Sequence, residues 1–270
     1  MNITFIGGGN MGRAIIGGLI AKGIRASDIT AVELDASART RLETEFGVAV
    51  AAAPGDALRE ADVVVMAVKP QNMREAARGI SRRIANPLVV SIAAGIRTGD
   101  LSRWLENRRR VVRAMPNTPA LVHAGITGLY APPELGADDR QAAEDLMAAV
   151  GATLWFERES DLDAVTAVSG SGPAYVFYAI EALEKAAREL GLAEGASRSL
   201  ALWTFVGATK LAIERGEEPA KLRAQVTSKG GTTERALEVL EAAHVRAHFV
   251  DAVKAACERS RELGDAFGKD

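Results

Sequence analysis

The chain has 270 residues, enough for one large domain or two ordinary ones with a substantial buried core. Lys and Arg number 33 against 35 Asp and Glu, a formal net charge of −2, so no global field recruits nucleic acid or an acidic membrane surface. A single cysteine, Cys257, excludes an intramolecular disulfide framework and fits a reducing cytosol, and no apolar run reaches the length of a membrane span.

Met1 leads at once into Ile3-Thr-Phe-Ile6, a buried strand, with no room for a basic-then-apolar leader, so a soluble cytoplasmic protein is expected. The strand runs straight into Gly7-x-Gly9-x-x-Gly12 and then a helical stretch over 13–22 with Ala14, Ile15, Ile16, Leu19 and Ile20 at helical spacing. Alone the glycine pattern is weak; between a strand and a helix it predicts a dinucleotide site. Glycines there allow a tight turn and a close approach to a pyrophosphate, and the helix start offers free N–H groups.

Strand and helix signals then alternate: strand 29–34, helix Ala36–Phe46, strand 63–68, a short helix over 73–84, and strand 88–92. Apolar strands separated by amphipathic helices predict an α/β fold with a doubly wound parallel sheet. Arg108, Arg109 and Arg110 form the only compact basic run, read as a solvated turn before the next strand. Further strands are expected at 110–115, 126–130 and 153–156, with a helix over 138–150. From Asp161 the pattern is helical: 162–190 interrupted at 170–173, then 196–215, 221–226, 233–241 and 245–266. This places a boundary near Glu159, giving a dinucleotide-binding domain over 1–159 and an all-helical domain over 160–270. The apolar Leu200, Leu202, Trp203 and Val206 predict a subunit interface on the helical half.

In a doubly wound sheet, ligands lie beyond the carboxyl ends of the strands. Glu33 stands twenty-one residues past Gly12, where an acid would bond the ribose of NAD and repel the extra phosphate of NADP. Arg39 and Arg41 follow and would neutralise that phosphate instead, so the residues leave both cofactors open. Ala67, Val68 and Lys69 follow the next strand, Ala93, Ala94 and Gly95 the one after, and Asn117 and Thr118 sit in the stiff loop Met115-Pro-Asn-Thr-Pro119. In the helical half, two loops are expected, Ser169-Gly-Ser-Gly-Pro173 and Thr227-Ser-Lys-Gly-Gly-Thr-Thr233. The second is a natural carboxylate cradle, with Thr233 as a simple helix cap the competing reading. His244 and His248 lack a third ligand, His123 stands alone, and no metal is expected. With no nucleophile elbow and no phosphate-binding lysine loop, the chemistry falls to the cofactor, which points to hydride transfer.

Together these motifs resemble the pyrroline-5-carboxylate reductase family. The resemblance rests on Phe5-Ile-Gly-Gly-Gly-Asn-Met-Gly12, Ala67-Val-Lys-Pro70, Val90-Ser-Ile-Ala-Ala-Gly95, Arg113-Ala-Met-Pro-Asn-Thr-Pro119, Ala167-Val-Ser-Gly-Ser-Gly-Pro-Ala-Tyr175 and Val226-Thr-Ser-Lys-Gly-Gly-Thr-Thr233, in the family's order and over essentially the whole chain. It implies reduction of L-1-pyrroline-5-carboxylate to L-proline with NADPH or NADH, the last step of proline biosynthesis. It further implies a Rossmann domain joined to a helical dimerisation domain, so a homodimer at least; several members build rings of such dimers. Carried over, it puts the pyrophosphate on Gly7, Gly8, Gly9, Asn10 and Met11, and the rest of the cofactor against Ala67, Val68, Lys69, Ala93, Ala94 and Gly95. The substrate carboxylate falls on Ser228, Gly230, Gly231, Thr232 and Thr233, and Glu159 matches a substrate-contacting acid of some members. Ser171, Thr233 or a water would bond the ring nitrogen. This chain departs from the family at Glu33-Leu34-Asp35, where a hydroxyl or amide is common, and at Lys229, where proline is common.

Two rival readings accompany this one. A β-hydroxyacid dehydrogenase shares the Gly-Asn-Met-Gly start but needs a lysine on the first helix after the boundary, and the first lysine there is Lys185. A dinucleotide-binding regulator without catalysis is the other.

Overall fold

The computed structural model describes residues 1–269. The chain divides into two compact units, Met1–Ser171 with the chain from Ala256 onward, and Gly172–Ala255.

The first unit contains β1 (Ile3–Ile6), α1 (Asn10–Ala21), β2 (Ile29–Val32), α2 (Ala36–Phe46), β3 (Ala49–Ala51), β4 (Val63–Met66), α3 (Pro70–Ile80), β5 (Leu88–Ser91), α4 (Thr98–Trp104), β6 (Val111–Met115), β7 (Gly125–Tyr130), α5 (Ala137–Ala148), β8 (Gly151–Trp155) and α6 (Asp161–Val165). Its eight strands form one sheet in the order β3-β2-β1-β4-β5-β6-β7-β8. All neighbours are parallel except β6 and β7, which are joined antiparallel with Arg113 opposite Tyr130. The expected sheet was parallel; the short connection over 116–124 carries only a five-residue 3-10 turn, Thr118–Val122, too short for a crossover, and a strand returned that directly runs antiparallel.

Strand alternation builds the two layers. Phe5, Val63 and Val65 turn to one face, packing with Ile15, Ile16 and Leu19 of α1 and Leu146 of α5. Ile6, Val64 and Met66 turn to the other, with Met73 and Ile80 of α3 and Leu101 and Trp104 of α4. Residues fully buried on both sides explain why these strands read as continuous apolar runs.

The second unit contains α7 (Gly172–Glu189), α8 (Glu194–Arg215), α9 (Pro219–Gln225), α10 (Thr232–Ala242) and the start of α11 (Val245–Phe267), whose last turns belong to the first unit. Contacts therefore divide at Ser171 rather than at Glu159. Leu162, Asp163 and Ala167 are buried, which keeps α6 and the turn after it with the sheet. The expected interruption near 170–173 is present in another form: Thr166–Gly170 make a π-helical turn, Ser171 is a bend, and α7 starts afresh at Gly172. Ser171 N–H donates to Thr166 O at 2.8 Å, and Pro173 falls in the first turn of α7, where its missing N–H costs nothing.

Two elements went unseen in the sequence. β3 is three small residues on a sheet edge, and α4 carries Gly99 in a seven-residue helix, too short for periodicity to register. The arginine run lies in the expected turn before β6, with Arg109 exposed and its two neighbours engaged. Arg108 donates to Ile84 O at 2.9 Å and to Ala85 O, and Arg110 grips Asp139 through Nε at 2.9 Å and Nη2 at 2.6 Å. These side chains tie down the turn before β6.

The Arg110 guanidinium holds the Asp139 carboxyl below its usual range. Because the folded-state value is the depressed one, the pair's contribution is present above the ordinary carboxylate range near pH ~4 and is lost as pH falls through the lowered folded value. Asp139→Asn should cost up to about 1 kcal/mol at pH 7. Urea midpoints of the variant and wild type should converge below that range, and a gap that persisted at pH 2 would show that the effect is not the ion pair's.

Candidate cofactor and substrate site

Parallel β1, β2, β4, β5 and β6 end at one edge of the sheet, and that edge collects the residues expected to hold a dinucleotide. Gly7 has φ +101°, and a Cβ there would lie 2.7 Å from Ala67 O. A Cβ at Gly12 would lie 2.9 Å from Gly7 O. Both positions therefore require glycine, and the chain leaves β1 in a turn flush against the end of β4. Gly9 is the N-cap of α1 with no side-chain cap, and a Cβ on it would meet open space. The first-turn N–H groups at Asn10, Met11 and Gly12 have no carbonyl a turn earlier to bond. This cradle of N–H groups without side-chain bulk fits a pyrophosphate.

The acid at the end of β2 is settled by hydrogen bonds. Asp35 is spent on α2: its carboxylate accepts from Ser37 Oγ at 2.5 Å and Ala38 N at 2.7 Å, which lowers its pKa, with Ser37 the larger cause. Glu33 instead reaches the glycine turn, accepting from Gly8 N at 2.7 Å through one oxygen and Asp35 N at 2.9 Å through the other. Arg39 donates through Nη1 to the carbonyls of Glu33 and Leu34 at 2.7 and 2.8 Å. It braces that corner, and this grip leaves Arg41 as the more exposed cation of the two.

Ala67 and Val68 are half-buried, while Lys69 is exposed and precedes Pro70, the first residue of α3. Ala93 and Gly95 are buried with Ala94 between them half-exposed. Gly95 has φ +75°, and a Cβ there would lie 3.2 Å from Phe267. Asn117 is buried and its Oδ1 accepts from Ile126 N at 3.0 Å, so its amide pins the start of β7.

Glu159 is likewise engaged. Its two oxygens accept from Thr98 N at 2.6 Å and Thr98 Oγ1 at 3.1 Å, and Arg113 lies 3.7 Å away. The sequence reading missed Arg113, Thr98, Asp163 and Ser260. The signal was a charge inside Val111-Val-Arg-Ala-Met115, an otherwise apolar strand. Nearby, burial first and then Glu159 and Glu134 push the Tyr130 hydroxyl above its ordinary value, so it stays protonated.

In the second unit, the 228–233 loop enters α10. The expectation that its N–H groups converge on an anion is corrected at the glycines: Gly230 N–H donates to Glu234 Oε2 at 2.6 Å and Gly231 N–H to Ser228 O at 3.0 Å. Those bonds stiffen a loop that has Lys229 where proline is common. Gly231 is the N-cap of α10 and Thr233 is its second residue, so Thr233 does not cap the helix. Its hydroxyl and the first-turn N–H groups of Thr232 and Thr233 remain for a ligand. Ser171 ends the first unit half-buried; its N–H closes the π turn. Lys185 lies far along α7, exposed and paired with Glu189 at 3.8 Å, which removes the lysine that the dehydrogenase rival needs.

Comparison with known proteins gives the same assignment along both halves. Residues 159–263 match the family described as pyrroline-5-carboxylate reductase dimerisation, and residues 2–95 match NADP oxidoreductase, coenzyme F420-dependent. A pyrroline-5-carboxylate reductase of Pseudomonas aeruginosa is 43% identical over 268 residues, covering 99% of this chain and 98% of that one. A solved pyrroline-5-carboxylate reductase from Coxiella burnetii superposes with TM-score 0.91 at 40% identity, covering 97% of this chain and 98% of that one. A Plasmodium falciparum pyrroline carboxylate reductase with NADP bound gives TM-score 0.86 at 27% identity, covering 98% of each chain. With identity of this degree over essentially its full length, the chain belongs to the pyrroline-5-carboxylate reductase family.

Proposed function

We propose that this chain reduces L-1-pyrroline-5-carboxylate to L-proline with NADPH or NADH, the last step of proline biosynthesis. The observation that carries this reading is the side-chain-free turn of Gly7 to Gly9 at the mouth of β1, in a chain of this family. The reduced nicotinamide, when bound, supplies the hydride that the imine carbon accepts. Gly7, Gly8, Gly9, Asn10 and Met11 hold the pyrophosphate, Glu33 the adenosine ribose, and Ala67, Val68, Lys69, Ala93, Ala94 and Gly95 line the rest. Asn117 shapes that edge through β7, and Arg39 through the β2 corner.

On the substrate side, Ser228, Thr232 and Thr233 bind the carboxylate, with Gly230 and Gly231 setting the loop's shape. A fixed carboxylate orients the ring, and orientation with water excluded supplies most of what hydride transfer to a cyclic imine requires. A protonated ring nitrogen makes its carbon a better acceptor. Thr233 and Ser171 bear the hydroxyls assigned to hold that proton, and neither hydroxyl has an intramolecular partner among the described residues. Residues 1–159 serve cofactor binding and 160–270 substrate binding and dimerisation. The protein works in the cytoplasm as a homodimer, and dimers assemble further into a ring. Among the described residues no helix is long and apolar enough to cross a membrane.

The direct test follows absorbance at the reduced-nicotinamide band with pyrroline-5-carboxylate and each cofactor. Oxidation that requires both partners is expected; none with either cofactor would reduce the chain to a dinucleotide-binding protein. Glu33→Ser should raise the ratio of NADPH to NADH specificity constants roughly tenfold, about 1.4 kcal/mol of removed repulsion. Glu33 also holds Gly8 N–H, so both cofactors should bind more weakly; the ratio isolates the phosphate. An unchanged ratio would place the adenosine ribose elsewhere.

A further inference from the structure

Arg113 is 2% exposed, on a strand otherwise made of apolar residues. Its Nη1 lies 3.7 Å from Glu159 Oε1 and its Nη2 3.5 Å from Asp163 Oδ1, and Nη2 makes no hydrogen bond among the described residues. Asp163 in turn accepts from Ser260 Oγ at 2.9 Å, so the cluster joins β6, the start of α4, α6 and the end of α11 within the first unit. A buried cation with incomplete hydrogen bonding stabilises poorly compared with apolar packing, so the arrangement calls for another purpose.

The geometry of Glu159 indicates one. Both of its oxygens are on Thr98, and Thr98 ends the segment that begins at Ala93 and turns at Gly95 with φ +75°. The other end is held by Ile92 N–H on Met66 O at 3.2 Å and Ala93 N–H on Ser91 Oγ at 3.4 Å. Between these anchors the turn has no regular structure of its own. We propose that Arg113 is a positioning residue for the reduction: by holding Glu159 against Thr98 it fixes the height of the 93–95 turn on which the nicotinamide half of the cofactor rests. Arg113 touches neither cofactor nor substrate in this role. The inference rests on reading the 93–95 turn as a cofactor contact.

Glu159→Gln, Arg113→Lys, Arg113→Met and Ala94→Leu separate the possibilities, with cofactor Kd from nicotinamide fluorescence, KM for each partner, kcat and Tm measured on the full chain. Glu159→Gln should raise the cofactor Kd between about tenfold and a hundredfold with substrate KM little changed, as expected when a contact surface shifts by a fraction of an ångström. Arg113→Lys should retain more cofactor affinity than Arg113→Met, which leaves the buried Asp163 and the half-buried Glu159 without their cation and is read only beside the milder variants. Ala94→Leu puts bulk on the turn itself and should block the cofactor; normal binding by this variant would overturn the site reading and the inference with it. If Ala94→Leu loses the cofactor while folded Glu159→Gln and Arg113→Lys bind it as wild type does, the positioning role fails and the site reading stands. A rise in substrate KM alone on Glu159→Gln would return Glu159 to the substrate and also overturn the role.

Discussion

Trp203→Glu and Val206→Glu, made singly, should convert the native homo-oligomer to a 28.5 kDa species in light scattering. Trp203 is 73% exposed and Ile213 76% exposed in the single chain. Between α7 and α8 lies an apolar groove of about 490 Å³ lined by Val176, Ile180, Leu202, Phe205, Val206 and Ile213. Patches of this kind are not left to water in a stable monomer, and the groove lies within the 159–263 segment that matches the dimerisation family. A twofold interface presents each substituted residue twice. Two unpaired carboxylates entering an apolar contact cost several kcal/mol each, so the dissociation constant should rise roughly a thousandfold or more. An active monomer in the wild type, or intact oligomers in both variants, would move the interface off this face.

Thr233→Ala should lower kcat/KM for the imine roughly tenfold to a hundredfold, the effect of losing about 1.5–3 kcal/mol from one hydrogen bond to a charged group. Cofactor affinity should stay at the wild-type value, because Thr233 is proposed to bond the substrate carboxylate and not the cofactor. The structure also makes the stability control informative. Gly231 caps α10, and no side-chain cap is lost with Thr233. Tm should therefore hardly move. A kinetic loss matched by a large fall in Tm would reassign the residue to folding, and unchanged kinetics in a stable variant would remove the carboxylate from this loop.

Much of this protein is readable in its sequence because local rules carry it. Gly7 and Gly12 between an apolar strand and an amphipathic helix signal their backbone geometry directly, since a Cβ at either would collide with backbone. Helices α2, α8 and α11 show in their composition and length. The edge strand β3 does not, because three small residues carry no period. Nor does the π turn before α7: the glycines and proline of Ser169-Gly-Ser-Gly-Pro173 signal a break in the helix but not the π geometry that the break takes.

By itself the sequence determined the alternation of strands and helices, the glycine turn after β1 and the change to an all-helical half. Each depends on residues adjacent in the chain, whose propensity and spacing act over a turn or two. The tertiary structure alone decided which acid serves which purpose. Asp35 caps α2 and Glu33 reaches Gly8, Glu159 holds Thr98 across 61 residues, and Ser260 meets Asp163 across 97. Hydrogen bonds and ion pairs act over about 3 Å in space whatever the separation along the chain, so their partners exist only once the sheet has brought distant segments together.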